Sequence, residues 1–521
     1  MPGTRAAVQS ERLGPIAALS GSPSLPALAV EPDWKHQPRL WGHAFHPMCS
    51  YLGSFPAALA HAFISRYSRP GDVVVDPFSG RGTVPLQACA ERRIGVGIDL
   101  NPLAHLLTEA KIDPPDHREV DDRIDQLRID WSRAEAGWTE LARGAGADPG
   151  QAAVPAPLGS GRILEPLAAH VAAAFHTRTL AQLLFLRTAL DRKLAADRFL
   201  LAAAVGILHG ASGSYLSTAM PNAFSLAPAY TRRWVAGRVA PAPDRDAFRL
   251  LGAKSRRLFR DGRPAQRGIA LGGDARDAGP HMVAALRALG SSGRARLVVS
   301  SPPYLRVLRY GSHDWLRLWF LGHDPAAVDR ATTPPAGTVP YGGWLREVLV
   351  SLRDILTDDA VVVLVLGDVD TDRGRTRLTV AALAEQVWAL AAEPAGYRLA
   401  GVLEDHVAPG RKLTRLWGAE AGRATSTDRL LVLGATEAGR RRALAGALTP
   451  VEWRRPARPS APLPAAILAA YAADVPSGRS GIDGSAGPDE EPGPRPDDQP
   501  AALLRAPAAA PPVRAGGQPG A

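Results

Sequence analysis

Two groups of residues in this sequence combine types and spacing that suit chemistry, and the first is built on two acids. Residues 71–102 read GDVVVDPFSGRGTVPLQACAERRIGVGIDLNP, where an apolar run ends at Asp76 and the turn Gly80-Arg81-Gly82 follows. Glycine allows positive φ and lets the backbone approach a ligand closely. A second apolar run ends at Asp99, a position where an acid bonds ribose hydroxyls in nucleotide-binding α/β folds. The pattern therefore favours a site for a cofactor that contains a ribose.

The second group lies at residues 296–304, RLVVSSPPY, where an apolar run leads into Ser301-Pro302-Pro303-Tyr304. Paired prolines restrict the backbone and carry no amide hydrogen. A hydroxyl, a carbonyl and an aromatic ring can then face one pocket, which suits a base rotated out of a nucleic acid. The alternative interpretation is a proline-rich turn with a tyrosine in the core.

Both strings resemble motifs of a single enzyme family. DPFSGRGT resembles the DPF-x-G-x-G-T cofactor motif of the amino-group DNA methyltransferases, which modify cytosine N4 or adenine N6, and SPPY resembles their (D/N/S)-P-P-(Y/F) catalytic motif. The resemblance covers about residues 40 to 450, with residues 115–268 matched only in patches. It implies S-adenosyl-L-methionine as cofactor and double-stranded DNA as substrate, and leaves open whether a cognate restriction endonuclease accompanies the protein.

The resemblance implies a set of cofactor-binding residues. Around the amino acid portion of the cofactor it places Asp76, Phe78, Gly80, Gly82 and Thr83. It places Asp99 on the ribose and Asp274, in GDAR at 273–276, on the adenine amino group, with an ordinary turn as the alternative for Asp274. Phe55 belongs to a His-Pro…Phe-Pro segment expected over the methionine end, and otherwise packs in the core. Arg81 departs from the small residue usual in the family, and is expected to point to solvent or towards phosphate.

The same resemblance implies the catalytic residues. Ser301 and the carbonyl oxygen of Pro302 hold the target amino group, Pro303 keeps the loop rigid, and Tyr304 stacks on the base. Methyl transfer to an amine needs alignment and an acceptor for the amino hydrogens, and needs neither a covalent intermediate nor a metal. Tyr310, a second tyrosine after the motif, either lines the pocket or packs in the core.

The choice of base follows from the first residue of the catalytic motif. Serine there is commonest among enzymes that make N4-methylcytosine, so we expect cytosine N4, with adenine N6 as the alternative. Carbon-5 chemistry needs a Pro-Cys nucleophile, and neither Cys49 nor Cys89 follows a proline. Two other functions stay open: an RNA base N-methyltransferase, and a nucleic-acid-binding protein with an inactive methyltransferase core.

The elements that must position these residues alternate between strand and helix. Apolar runs predict strands at 72–76, 94–99, 296–300, 360–366, 398–404 and 429–433, with a helix at 83–92. Such alternation is typical of a doubly wound, mostly parallel α/β sheet, which the resemblance makes a Rossmann-like methyltransferase fold. We expect a disordered terminus at 1–30, a cofactor-binding half at 31–114, a mainly helical insertion at 115–268, a catalytic half at 269–455 and a disordered tail rich in Pro, Ala and Gly at 456–521.

Composition sets broader limits. The 521 residues carry a formal net charge of +10, which suits a polyanionic partner. The insertion ends in a basic run at 254–267. We therefore assign target recognition to the insertion rather than to residues 323–345. Two cysteines exclude a disulfide framework or a cysteine zinc cluster and fit a reducing cytoplasm, where we expect the protein. No apolar run reaches the roughly 18 residues of a membrane span, and we expect no metal.

Overall fold

The structure is a computed structural model that describes residues 25–30, 32–38, 40–147, 153–220, 228–237, 241–288, 293–303, 309–370, 382–406 and 423–453. Within these ranges the strands are β1 (Val73–Asp76), β2 (Ile94–Asp99), β3 (Ala153–Pro155), β4 (Leu164–Pro166), β5 (Ile269–Gly272), β6 (Ala295–Ser300), β7 (Leu356–Asp370), β8 (Arg398–His406) and β9 (Arg423–Gly434).

The helices of the described residues lie before, between and after these strands. They are α1 (Ala57–Tyr67), α2 (Thr83–Ala90), α3 (Pro102–Ile112), α4 (His117–Ala147), α5 (Ala169–Ala172), α6 (Thr177–Ala189), α7 (Ala195–Val205), α8 (Pro228–Ala236), α9 (Ala247–Leu258), α10 (Ala278–Ala288), α11 (Tyr310–His313), α12 (Trp315–Leu321), α13 (Pro325–Thr332), α14 (Thr338–Arg353), α15 (Ala382–Val387) and α16 (Glu437–Ala447). Every predicted strand is present, and the predicted helix at 83–92 is α2.

Seven strands form one sheet in the order β5-β2-β1-β6-β7-β9-β8. All neighbouring pairs are parallel except the two that involve β9, which runs antiparallel to β7 and β8. The chain moves outward from β1 through β2 to β5 and then crosses to β6 on the other side of β1. This confirms the predicted doubly wound, mostly parallel α/β sheet.

Helices cover both faces of this sheet, and its central strands β1, β2 and β6 are accordingly buried along almost their whole length. Successive side chains of a strand point to opposite faces. Val73 and Val75 accordingly pack into one core with the residues of α10 and α14, whereas Val74 packs into another with α1 and α16. The two cores hold the carboxyl ends of β1, β2 and β6 in fixed relative positions.

The interval between β2 and β5 holds α3 to α9 and a small antiparallel hairpin of β3 and β4. Its helices share one further core, in which Trp131 of α4, Phe185 of α6 and Phe248 of α9 contact one another. The division of the chain into two functional halves and an insertion stays a prediction.

The prediction of disorder over 1–30 is wrong for residues 25–30. The backbone N–H of Leu28 donates to Val402 O at 2.9 Å, and that of Val402 donates to Pro26 O at 2.9 Å. Leu28 and Val30 are buried. The physical reason is that β8 is an edge strand whose free backbone groups need a partner, and this extended segment supplies one. Residues 1–24 and the predicted tail at 456–521 lie outside the described residues.

A search of the described residues for a helix both long and apolar enough to cross a membrane finds none.

Candidate active site

A cavity of about 330 Å³ opens at the carboxyl ends of β1, β2, β5 and β6. In doubly wound sheets ligands bind at this edge, where the strand order reverses. The predicted site residues that line the cavity are Phe55, Asp76, Phe78, Gly80, Thr83, Asp99, Asp274, Ser301 and Pro303. The fold thus brings the two separate motifs to one cavity.

Two of the predicted residues that the structure describes, Pro302 and Gly82, do not line the cavity. Pro302 is buried beside it, and Tyr304 lies outside the described residues. Gly82 has a different place from Gly80: a Cβ at Gly82 would lie 2.9 Å from the Cα of Thr108 in α3. Gly82 therefore allows the close packing of the turn on α3, whereas Gly80 faces the cavity.

Hydrogen bonds to its backbone N–H groups stabilise the glycine turn. Gly80 and Gly82 have φ of 51° and 75°, in the left-handed region that glycine tolerates. The N–H of Gly82 donates to Ser79 O at 2.7 Å, and the N–H of Gly80 donates to Asp99 Oδ2 at 2.8 Å. The side chain of Asp99, from the end of β2, therefore supports the turn that follows β1.

Two carboxyl groups lie at the base of the cavity, that of Asp76 buried and that of Asp99 partly buried. Asp99 accepts from the N–H groups of Gly80 and Asn101, and burial raises its pKa to about 6 against these bonds. Asp76 accepts from the Ser300 hydroxyl at 2.6 Å and the Phe78 N–H at 3.1 Å, and burial raises its pKa to about 7. Since neither carboxyl group forms a salt bridge with a described residue, both suit a ligand that brings hydrogen-bond donors or a positive charge.

Asp274 lies where β5 ends, as the motif order implies. The Arg276 guanidinium contacts both of its carboxylate oxygens and also bonds Glu347 of α14 at 3.0 Å. These bonds to Arg276 hold the pKa of Asp274 below its usual value. Phe78 and Trp344 form the adjoining apolar wall, with ring centroids 5.4 Å apart.

The segment before α1 supplies the opposite wall through Tyr51 and Phe55. The Asn101 side chain has a fixed orientation, because its Oδ1 accepts from Leu103 N at the start of α3 and its Nδ2 donates to the Tyr51 hydroxyl at 3.0 Å. Tyr310, the first residue of α11, lines the cavity beside Tyr51. The structure therefore favours the pocket position for Tyr310.

Sequence reasoning missed several residues of this site. Asn101 has a local signal in the sequence, because an Asn-Pro pair is typical of a helix start and indicates a capping residue. Tyr51 lies within the His-Pro…Phe-Pro segment but was not singled out. Trp344 and residues 331–335 reach the cavity through the packing of α13 and α14, for which no local pattern exists.

Arg81, which was expected to point to solvent or towards phosphate, lies at the cavity. Its Nε donates to Thr83 Oγ1 at 3.3 Å. Its carbonyl oxygen accepts from Nζ of the buried Lys111 in α3 at 2.5 Å, and this bond also fixes the turn.

Part of the basic run at 254–267 serves the fold. Lys254 Nζ donates to Pro47 O at 3.1 Å, and Arg260 pairs with Asp261. Arg267 Nε donates to Asp113 Oδ1 at 2.6 Å. The bonds of Lys254 and Arg267 attach α9 and the segment after it to residues near the predicted cofactor-binding half, whereas the Arg260–Asp261 pair is local. The assignment of target recognition to the insertion stays a prediction.

The residues present fit a nucleoside cofactor that carries a cationic amino acid portion. Gly80 leaves space that a Cβ would fill, since such an atom would lie 3.3 Å from the Tyr51 ring. Asp99 supplies acceptors at a strand end, as ribose hydroxyls require. Asp76 supplies a buried carboxyl group that, within the described part of the chain, is hydrogen-bonded to neutral donors and forms no salt bridge.

A mostly parallel sheet with one antiparallel strand and a cavity at its carboxyl edge defines a Rossmann-like methyltransferase fold. Residues 34–109 match the model of a family described as DNA methylase. This match and the relatives described below confirm, over part of the chain, the predicted resemblance to the amino-group DNA methyltransferases.

The similar proteins are type II methyltransferases. M.MjaII of Methanocaldococcus jannaschii is 39% identical over 79 residues, which are 15% of this chain and 14% of that protein. M.Cfr9I of Citrobacter freundii is 43% identical over 53 residues, 10% of this chain and 18% of its own. M.XycI of Xanthomonas campestris pv. cyanopsidis is 45% identical over the same extent. The matched segments thus span less than a fifth of each relative.

Among solved structures, the rRNA methyltransferase aviRa from Streptomyces viridochromogenes has a TM-score of 0.26 and 12% identity, covering 75% of this chain and 88% of its own. At that TM-score the likeness carries no weight for fold or substrate.

Proposed function

We propose that this protein transfers a methyl group from S-adenosylmethionine to an exocyclic amino group of a base in double-stranded DNA, with cytosine N4 preferred over adenine N6. The observation that carries the proposal is that the DPFSGRGT turn and the Ser301-Pro302-Pro303 segment lie at one cavity. The match of residues 34–109 to the DNA methylase family model supports the reaction type.

In this proposal the cofactor half binds and orients. Asp99 holds the ribose, Asp274 the adenine amino group, and Asp76 the positively charged amino acid portion. When bound, S-adenosylmethionine supplies an electrophilic methyl group. Gly80 leaves room for the cofactor, and Phe78 and Trp344 exclude water from the wall beside it.

The catalytic half holds the target amine. The Ser301 hydroxyl and the Pro302 carbonyl oxygen accept the amino hydrogens, which become more acidic as the nitrogen forms its new bond. Tyr304 stacks on the base after it leaves the helix. Serine at position 301 supports the preference for cytosine N4 through the family resemblance.

The test is label transfer by the purified full-length chain. The protein is incubated with S-adenosylmethionine labelled in its methyl group and, separately, with unmethylated double-stranded DNA and with total RNA. We expect label in DNA and none in RNA. Label confined to RNA would contradict the proposed substrate, and label in neither, with the cofactor bound, would contradict the proposed activity.

A matched pair of variants makes this test specific. Asp76→Ala changes the cavity, and Asp358→Ala changes an exposed aspartate near the amino end of β7, at the opposite edge of the sheet. We expect Asp76→Ala to lose label transfer and Asp358→Ala to keep it.

A further inference from the structure

A hydrogen bond joins the two halves of the site at their base. The Ser300 hydroxyl, on the last residue of β6, donates to Asp76 Oδ1, on the last residue of β1, at 2.6 Å. Ser300 is 0% exposed and Asp76 is 2% exposed. Ser300 precedes Ser301 directly in the chain, so this contact ties the carboxyl group of the cofactor motif to the strand that carries the catalytic motif.

The bond also determines which carboxylate oxygen faces the cavity. Asp76 Oδ1 receives two donors, the Ser300 hydroxyl and the Phe78 N–H at 3.1 Å. Two donors from different directions fix the rotation of the carboxyl group. Both of these hydrogen bonds use Oδ1 and leave Oδ2 to the cavity, which Asp76 lines. Oδ2 is therefore the oxygen placed to meet a ligand.

Both hydrogen bonds that stabilise the Asp76 carboxyl group come from neutral donors. From β2 the neighbouring titratable group is Asp99, which disfavours a second negative charge, and from β6 the contact is the Ser300 hydroxyl. Arg81 and Arg276 line the same cavity, but their guanidinium groups contact Thr83 and Asp274. The negative charge of Asp76 thus depends on hydrogen bonds to one oxygen and on a cationic ligand at the other.

We propose that Ser300 is a positioning residue, whose hydroxyl holds Asp76 so that Oδ2 binds the ammonium group of the cofactor's amino acid portion. The proposal rests on the proposed function, since it takes S-adenosylmethionine as the ligand. Burial raises the pKa of Asp76 to about 7, and the Ser300 bond opposes that rise. Removal of the hydroxyl raises the pKa further and also frees the carboxyl group to rotate.

The test compares two ligands in the wild type, Ser300→Ala and Ser300→Thr. S-adenosylhomocysteine carries the ammonium group, and 5′-methylthioadenosine lacks the whole amino acid portion. Calorimetric affinities are measured from about pH 6 to about pH 9. For wild type, we expect the affinity for S-adenosylhomocysteine to rise with pH through about 7, as Asp76 ionises.

For Ser300→Ala we expect about tenfold weaker binding of S-adenosylhomocysteine near pH 7, the size of a lost bond to a charged group, and a midpoint shifted to higher pH. Binding of 5′-methylthioadenosine should stay within about twofold of wild type, because the ribose and adenine contacts are intact. Ser300→Thr retains the hydroxyl and should restore the wild-type profile.

Equal losses for both ligands in Ser300→Ala would show general damage and overturn the proposal, as would an unchanged pH midpoint. If Ser300→Ala does not fold, Ser300→Cys takes its place, since a thiol fills the volume but donates weakly, and the same outcomes apply. A wild-type protein that binds neither ligand would contradict the proposed function itself. If the wild type binds both ligands and Ser300→Ala binds them with the same affinities and pH profile, only the role of Ser300 is contradicted.

Discussion

The ring of Tyr51 stacks on the ring of Tyr310, with centroids 5.6 Å apart and planes 19° apart. Tyr51 comes from the segment before α1, and Tyr310 begins α11 after the catalytic motif. The stack therefore joins segments that are distant in sequence, at the wall where the cofactor and catalytic residues meet.

The hydroxyl and the ring of Tyr51 should contribute separately. Tyr51→Phe keeps the stack and leaves the buried Asn101 amide without its partner, so we expect a loss of about 1 kcal/mol in the free energy of unfolding. Tyr51→Ala also removes the ring, and we expect a loss of about 3–5 kcal/mol together with weaker cofactor binding. Urea denaturation and calorimetry measure both quantities. Equal losses in the two variants would contradict a contribution from the stack.

The two glycines of the turn should respond differently to alanine. At Gly82 the new Cβ meets the Cα of Thr108 at 2.9 Å, and since the backbone must shift we expect a loss of about 1–3 kcal/mol in stability. At Gly80 the new Cβ meets the ring of Tyr51 at 3.3 Å from the cavity side. Gly80→Ala should therefore weaken cofactor binding more than it weakens the fold. Thermal melts and binding isotherms of both variants distinguish these effects, and the reverse ranking would contradict the two assignments.

Asp76 should make the free protein less stable as pH rises. Its pKa is about 7 in the fold, against an ordinary value of 3.8. Between these values the folded chain holds a proton that the unfolded chain has released, so stability falls as pH increases through this window. Asp76→Asn removes the titration, and its stability relative to wild type should grow from about pH 4 to about pH 7 and then level, reaching a few kcal/mol.

Denaturation midpoints of wild type and Asp76→Asn across this range measure the effect, in the absence of cofactor. Asp358→Asn, at an exposed position, serves as control and should retain the pH dependence of the wild type, because Asp76 is still present. A stability difference between Asp76→Asn and wild type that does not vary with pH would contradict the role of burial in raising this pKa.

The two halves of the cavity should fail in different ways. Asp76→Ala should remove cofactor binding, because it deletes the buried acid at the base of the cavity. Tyr304→Ala should retain cofactor binding and lose methyl transfer, because it deletes only the ring that stacks on the base. Calorimetry with S-adenosylhomocysteine and label transfer to DNA measure the two properties. Near-normal turnover by Tyr304→Ala would contradict the stacking role.

DNA affinity should fall steeply with salt. The chain has a formal net charge of +10, and contacts to phosphate release counterions when they form. Fluorescence anisotropy with a labelled duplex between roughly 50 and 200 mM salt measures the slope. A flat affinity over that range would contradict a binding mode based on phosphate contacts.

The sequence predicted those parts of the fold whose causes are local. The strands that end at Asp76 and Asp99, and the glycine turn between them, follow from runs of apolar residues and from backbone conformations that glycine permits. The same holds for β6, which ends directly before Ser301. These three segments place most of the predicted residues at one cavity.

Other features depend on contacts between distant segments. The Tyr51–Asn101 bond and the Phe78–Trp344 contact require the packed fold, and no spacing in the sequence indicates them. The continuous motif assigns Gly82 to the cofactor site. The structure shows a packing reason for its lack of a Cβ, because a Cβ there would meet Thr108. Residues 25–30 are small and aperiodic, and only the exposed edge of β8 explains why they are ordered there.

The most direct test of the central claim is mass spectrometry of nucleosides from DNA of cells that express the protein, beside cells that express Tyr304→Ala. The account predicts N4-methylcytosine above the Tyr304→Ala level. N6-methyladenine in its place would retain the transfer to an exocyclic amine and change the base. Absence of both marks, from a protein that binds S-adenosylmethionine, would contradict the assignment of DNA as the substrate.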